Sequence, residues 1–203
     1  DLTSSSTGPT NNEESFRSVI MAERETLVQQ DTVYQGPIFS VSQQKVQLTN
    51  GKYAQRDVVR HVPAIAVLAL SDDNHIILEK QYRATIGDFI FEIPAGKLDE
   101  RDFDQPEHAV RRELNEELRM SAGIIEHITG FYETVGFSDA YMHLYLARQL
   151  QPVAPSDQLA RDFGESLDII ELSFDDMQLL FEQGKINDQK TLTAFLYWSY
   201  IRG

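Results

Sequence analysis

The segment Arg111-Arg112-Glu113-Leu114-Asn115-Glu116-Glu117-Leu118 constrains the fold more than any other part of the chain. Wound as a helix at about 100° per residue, with Glu113 as zero, it puts Glu117 near roughly +40° and Glu116 near roughly −60°. Val110, Leu114 and Leu118 then fall at about +60°, +100° and +140°. One helix therefore carries an acidic face beside an apolar stripe, and the stripe needs an apolar layer to lie on. The pattern predicts this helix over 106–119, with Pro106 in the first turn, where its missing N–H costs nothing.

Segments of strand character flank the helix. Residues 43–48 and 53–59 enclose Asn50-Gly51, which predicts a two-residue type I′ hairpin. Strands are expected over 61–70, 75–82 and 88–94, with a turn at Asp72-Asp73-Asn74, and 96–106 reads as a loop. Beyond the helix, 123–133 and 141–150 are strands around a Val135-Gly136 turn. A long polar loop covers 151–165 and a short strand 168–172. Ser173 caps a helix to about 183, and Asn187 and Asp188 cap a last one through Trp198. The strands do not alternate regularly with helices. The expected class is α/β in the broad sense (α+β), with a mixed sheet rather than a doubly wound nucleotide fold. Residues 1–14 read as a mobile tail, 15–60 as an N-terminal β region and 61–203 as the main domain.

Composition narrows the partners. The 203 residues include no cysteine, which excludes disulfides, Cys-ligated zinc and thiol nucleophiles. A net charge of −14 argues against non-specific nucleic-acid binding. A phosphate ligand stays compatible if a cation stands between it and the acids. The apolar runs fall short of the roughly 20 residues of a membrane span, and no secretory-leader pattern is read. The expectation is a cytoplasmic protein with neither nucleic acid nor membrane as partner.

The acidic helix holds the chemistry. Like charges at i,i+3 and i,i+4 repel by a few tenths of a kcal/mol per pair on an exposed helix, and by more in a cleft. A hard divalent cation relieves this, and an oxygen-only donor set suits Mg²⁺ or Mn²⁺. Alone, Glu-x-x-Glu-Glu is usually a solvated face. Here Glu92-Ile93-Pro94-Ala95-Gly96-Lys97 precedes it by one loop, and a strand ending in Pro-Ala-Gly can aim a carbonyl at the same cation.

With these residues the chain resembles the Nudix hydrolases, and among them the ADP-ribose pyrophosphatases. Their box runs Gly, five residues, Glu, seven residues, then Arg-Glu-apolar-x-Glu-Glu-x-Gly-apolar. This chain supplies Gly96, Arg112-Glu113-Leu114-Asn115-Glu116-Glu117 and Met120. The likeness extends to Arg56-Asp57-Val58-Val59, Gln81-Tyr82-Arg83, Gly136-Phe137-Ser138-Asp139 and Gly184-Lys185-Ile186, over roughly 32–196. Four departures stand out. Two extra residues lie between Gly96 and the helix, putting Asp104 at the first Glu, with a salt bridge to Arg112 expected. Arg119 replaces the second Gly. Ala140 and Val135 stand where the pyrophosphatases often carry Glu and Pro.

The resemblance implies a Nudix-type α/β/α sandwich with an N-terminal β-hairpin extension, and a homodimer to which residues 15–60 contribute. It implies Mg²⁺-dependent hydrolysis of a nucleoside diphosphate derivative, ADP-ribose first, a sugar nucleotide or dinucleotide second. A nucleotide-binding sensor is the non-enzymatic alternative. By position, the metal ligands are the Ala95 carbonyl, Glu113, Glu116 and Glu117, and Glu116 and Arg112 are also counted as catalytic. The general base is Glu165, with Asp162, Asp139 and Glu133 in reserve. Leu167 stands where a second acid is common. Arg83 resembles a phosphate-binding arginine and Arg56 one that holds the adenosine end. Lys97, Thr134 and Gly136 lie where the family approaches substrate. The segment 34–39, with Pro37 and Ile38 at its centre, matches the part that sandwiches adenine across the dimer. His61, His75, His108, His127 and His143 lack metal-ligand spacing and read as structural.

Overall fold

Side-chain alternation along one short strand organises the layers. The structure is a computed structural model that describes residues 24–161, 163–164 and 166–202. The elements, in chain order, are β1 (Thr26–Gln35), β2 (Phe39–Gln47), β3 (Tyr53–His61), β4 (Ala64–Ala69), β5 (Ile76–Arg83), β6 (Asp88–Glu92), β7 (Ala95–Lys97), α1 (Glu107–Leu118), β8 (Met120–Tyr132), β9 (Tyr141–Pro152), β10 (Leu167–Leu172), α2 (Phe174–Glu182) and α3 (Gln189–Arg202). From β4, Ala66 and Leu68 join Met177 of α2 and Ala194, Phe195 and Trp198 of α3 in one core cluster. Ile65, Val67 and Ala69 join Ala109, Val110, Leu114 and Leu118 of α1 in another. The period of two thus puts α1 on one face and α2 and α3 on the other. A strand buried on both faces reads as a continuous apolar run, as 61–70 does. Each large side chain fully withdrawn from water stabilises by about 1.5–3 kcal/mol.

The strands form three sheets, ordered β7-β4-β9-β8, β10-β5-β6 and β1-β2-β3. In the first, β4 runs parallel to β9, with Ala64 opposite Met142 and Ala69 opposite Ala147. It runs antiparallel to β7, while β8 and β9 pair antiparallel. This is the mixed sheet expected. The chain divides into two units, one of residues 24–35 and 40–58, the other of 36–39 and 59–202. Among the described residues, no helix is long and apolar enough to cross a membrane. Residues 1–14, read as a tail, lie outside the described residues.

Two local expectations are corrected, and one strand is added. The turn after β2 is not the two-residue type I′ form, which needs positive φ at Asn50 and Gly51. Only Gly51 is left-handed, at φ 79°. Its N–H donates to the Leu48 carbonyl at 2.9 Å and Leu48 N–H to the Lys52 carbonyl at 2.8 Å, so the loop is longer and needs one glycine. The loop expected at 96–106 begins inside β7. Three paired residues are too few to leave a periodic pattern. Strand β1 lies where the sequence is mixed, since all ten of its residues are exposed and no buried face marks it.

Candidate active site

β7 and α1 build the site by pressing backbone against carboxylate. Ala95 N–H donates to Glu117 Oε2 at 3.2 Å. A Cβ added to Gly96 would sit 1.8 Å from Glu113 Oε1, so only glycine admits that carboxylate. Glu113 and Glu117 are 7% and 5% exposed. Two buried carboxylates one helical turn apart require compensating charge. Arg112 supplies part of it. Its Nη1 donates to Glu113 Oε1 at 2.6 Å and Glu116 Oε2 at 3.1 Å, and Nη2 to the Lys97 carbonyl at 3.1 Å. Burial alone would lower the Arg112 guanidinium, but Glu113 and Glu116 outweigh it and hold its pKa above the ordinary value.

The acid facing Arg112 is Asp102, at 3.5 Å, and not Asp104. Asp102 is 5% exposed, whereas Asp104 is exposed. Counted forward from Gly96, Asp102 is the sixth residue, the spacing of the box's first acid. The two extra residues therefore lie after it, in the turn that leads into α1. Its Oδ2 also accepts from Asp99 N–H at 3.3 Å, which closes the loop on itself. Arg101 hydrogen bonds hold the exposed Asp99 carboxyl at about 2.

These groups open onto a cavity of about 660 Å³. Ala95, Gly96, Glu113, Glu116, Glu117 and Glu133 line it with the cations Arg83, Lys97, Arg101, Arg112 and Lys190. Pro37 and His61 line it as well. His61 Nδ1 lies 2.6 Å from the Val62 carbonyl and donates to it. The structure thus brings Arg83 and Lys97 to the acids. Ile38 is 42% exposed, and Thr134 and Gly136 sit in the exposed turn after β8, outside the residues that line the cavity. Arg56 belongs to the other unit, where it pairs with Glu25 at 2.5 Å. Glu165 and Asp162 lie outside the described residues. Asp139 is fixed by Arg60 and by His61 N–H, each at 2.9 Å. Burial would raise its carboxyl, but these partners hold it below the ordinary value.

The helix ends at Arg119, left-handed at φ 60° and ψ 33°. That conformation costs a non-glycine about 1 kcal/mol. Compensation comes from the following loop. Arg119 Nη1 donates to the Leu159 carbonyl, and Val153 N–H donates to the Arg119 carbonyl at 2.9 Å. Asn115 donates to the Asp157 carbonyl at 3.0 Å and accepts from Leu159 N–H at 2.9 Å. Arg161 donates to the Glu116 and Glu117 carbonyls at 3.3 and 2.8 Å, satisfying the helix C-terminus. Neither Asn115 nor Arg161 draws attention in the sequence.

A match to the NUDIX domain family covers residues 60–195. The chain belongs to the Nudix family. It is 35% identical over 173 residues to an ADP-ribose pyrophosphatase of Bacillus subtilis (strain 168), covering 85% of this chain and 91% of the relative. It is 33% identical over the same shares to a methanol dehydrogenase activator of Bacillus methanolicus. A solved structure described as an ADP compounds hydrolase superposes with a TM-score of 0.78 at 21% identity, covering 89% of this chain and 97% of that one. That likeness shows the Nudix fold. On this Nudix chain the box reads Gly96, Asp102, then Arg112 to Glu117, with Arg119 performing the helix stop of the box's glycine.

The fit of a divalent metal to these residues follows from the donors. All are oxygens, two of the carboxylates are withdrawn from water, and β7 backbone is pressed against both. Among the described residues no three acidic or histidine side chains already converge as a coordination shell. Arg112, bonded to Glu113 and Glu116, occupies the place of the countercharge.

Proposed function

We propose that this Nudix protein hydrolyses the pyrophosphate bond of ADP-ribose to AMP and ribose 5-phosphate with Mg²⁺ (Mn²⁺ serving in its place), as a cytoplasmic homodimer. The observation that carries the reading is the buried Glu113–Glu117 pair seated on Ala95 and Gly96 and opening onto a cavity ringed by arginine and lysine. The likeness to an ADP-ribose pyrophosphatase over most of both chains supports the substrate.

Ala95, through its carbonyl, and Glu113, Glu116 and Glu117 would hold the metal. When bound, it neutralises the diphosphate and lowers the pKa of an attacking water. Everything else is positioning and electrostatics. Arg112 holds the Glu113 and Glu116 carboxylates in place. Arg83 offers a guanidinium fork to the phosphate oxygens, with Lys97 beside it. Arg56, Ile38, Thr134 and Gly136 belong to the nucleoside and ribose ends. Glu165 takes the proton of the attacking water. The unit of 24–35 and 40–58 serves the dimer.

Release of AMP from ADP-ribose by the purified chain with Mg²⁺ tests the reading. Glu117→Gln is expected to lower kcat/KM by at least about a hundredfold, as loss of a group acting on the developing charge does. Undiminished turnover in Glu117→Gln would contradict the metal role. A second substrate class, other nucleoside diphosphates linked to a sugar or nucleoside, is favoured by Ala140. Being 7% exposed and uncharged, it offers a ribose no carboxylate. A substrate panel ranking ADP-ribose below another compound would select it.

A further inference from the structure

The mechanism above leaves two cavity cations unused, Arg101, which pairs with Asp99, and Lys190. Lys190, in the first turn of α3, lines the cavity although it is only 8% exposed. Its Nζ donates to Glu92 Oε1 at 2.7 Å and lies 3.1 Å from Asp188 Oδ1. The other Glu92 oxygen accepts from Arg83 Nε at 2.7 Å. Glu92 is 5% exposed at the end of β6. Asp188 is anchored in turn by Thr191, whose Oγ1 donates to Asp188 Oδ2 at 2.6 Å and accepts from Ile93 N–H at 2.9 Å. The chain of contacts therefore runs from the α3 cap to the cavity wall.

A buried ion pair is poor evidence of stabilisation, because desolvating two charges offsets much of their attraction. Its geometry here is informative. Arg83 is long, and its side chain is 45% exposed. A free arginine at a cavity rim samples many rotamers and must lose that freedom to bind. Glu92 grips it by Nε, along one edge of the guanidinium. Both Nη amines are left over, and among the described residues neither has a hydrogen-bond partner. Those are the donors that suit a phosphate. A carboxylate held by Arg83 alone could rotate with it. The second cation, on a rigid helix, fixes it.

We propose that Lys190 and Glu92 are positioning residues for substrate binding: Lys190 fixes the Glu92 carboxylate, and Glu92 holds Arg83 edge-on so that both its terminal amines serve the diphosphate. This rests on the reading of Arg83 as a phosphate contact. It assigns the pair to binding rather than to bond cleavage.

Calorimetric titration of the full chain with inorganic pyrophosphate and Mg²⁺ tests it, alongside KM and kcat for ADP-ribose. Glu92→Gln is expected to weaken pyrophosphate and raise KM about tenfold, the factor of one charge-assisted hydrogen bond, with kcat changed far less. The double variant Arg83→Ala/Glu92→Gln should bind no more weakly than Arg83→Ala alone, because Glu92 acts only through Arg83. Additive losses, or an unchanged pyrophosphate affinity in a folded Glu92→Gln protein, would overturn the proposal. Should Glu92→Gln not fold, Lys190→Met enters the same cycle with the same expectation, Lys190→Arg restoring most of the affinity. Thr191→Val, which loosens only the far anchor, should lower stability and leave pyrophosphate affinity intact. A loss there equal to that of Lys190→Met would reduce the network to a structural role. In ¹⁵N spectra the Arg83 Nε–H should exchange slowly with water in the unsubstituted protein and rapidly in Lys190→Met. Rapid exchange in both speaks against the proposal. If the protein binds pyrophosphate as described yet releases no AMP from ADP-ribose, the substrate assignment fails and the positioning role stands.

Discussion

Gly96 shows how one residue decides the site. A β-carbon there meets Glu113 Oε1 at 1.8 Å, Cδ at 2.1 Å and Cγ at 2.7 Å, all on one side chain. The obstructed group is the end of a flexible glutamate, so the fold can yield by turning the carboxylate away. Gly96→Ala is therefore expected to keep its thermal midpoint within a few degrees. Its kcat/KM should fall about a hundredfold, because misplacing a reacting group by an ångström costs that much. Thermal unfolding beside the AMP-release assay checks both halves. A variant that keeps full activity contradicts the close approach, and one that unfolds outright contradicts the yielding of the Glu113 carboxylate. His143 makes a different kind of statement. Burial, and then the neighbouring His127, lower its pKa from 6.5. The rings of Tyr141 and His127 stand 4.9 and 5.9 Å away. A depressed histidine is bound to fewer protons in the folded chain than in the unfolded one. Its contribution is thus fully present above 6.5 and is lost as pH falls through the folded value. The urea midpoint should drop between about pH 7.5 and pH 5.5, and His143→Gln should flatten that drop. An unchanged slope would assign the acid sensitivity elsewhere.

At the scale of elements, α1 is both the best-read and the most instructive part of the chain. Its apolar stripe was legible because Val110, Leu114 and Leu118 recur at helical spacing and all three are buried. Its acidic face was legible because three glutamates fall within one arc. How the helix is fastened was not. Asn115 and Arg161 lie 42 to 45 residues from the groups they bind, and Lys190 and Glu92 are 98 apart. Only the folded chain brings such pairs together, and polar residues leave no periodicity to mark them. Asp102 was within reach, since counting forward from Gly96 finds it and counting back from Arg112 finds Asp104. The helix stop was half legible: the missing glycine was visible, but not that Arg119 would adopt the glycine conformation and use its guanidinium on the next loop. Arg119→Gly is expected to change stability by less than about 1 kcal/mol, as relief of the left-handed strain offsets the lost hydrogen bonds. Asn115→Ala loses two hydrogen bonds to 157 and 159 with nothing relieved, and should cost about 1–2 kcal/mol. Both should make the 153–161 loop more sensitive to limited proteolysis. Equal stability losses in the two variants would mean that the φ of Arg119 carries no strain.

For the molecule as a whole, β1 poses the remaining question. Among the described residues β1 is an edge strand paired with β2, and all ten of its residues are exposed, including Leu27, Val28, Val33 and Tyr34 at 49–58%. An edge strand of this length with apolar side chains is a template for association. Irregularities in its pairing fall at 27–29 and 32–34, where Val28 and Val33 have no partner in the register. Such bulges twist an edge away from indiscriminate pairing and aim particular side chains outward. The strand exposes two apolar pairs, Leu27-Val28 and Val33-Tyr34, along an edge, so it is the part of the molecule best suited to a second copy. The expected outcome is a dimer by sedimentation. Val33→Asp, placing a charge on the exposed edge, should shift the protein to monomer by at least about tenfold in the dissociation constant, given the cost of burying an unpaired carboxylate. Because the adjoining 34–39 segment is assigned to the nucleoside end of the site, the monomer should show a raised KM for ADP-ribose, while its urea midpoint extrapolated to low protein concentration stays that of the parent chain. A Val33→Asp protein that remains dimeric would remove β1 from the interface. One that is monomeric with an unchanged KM would keep β1 in the interface and show that each site is complete within one chain.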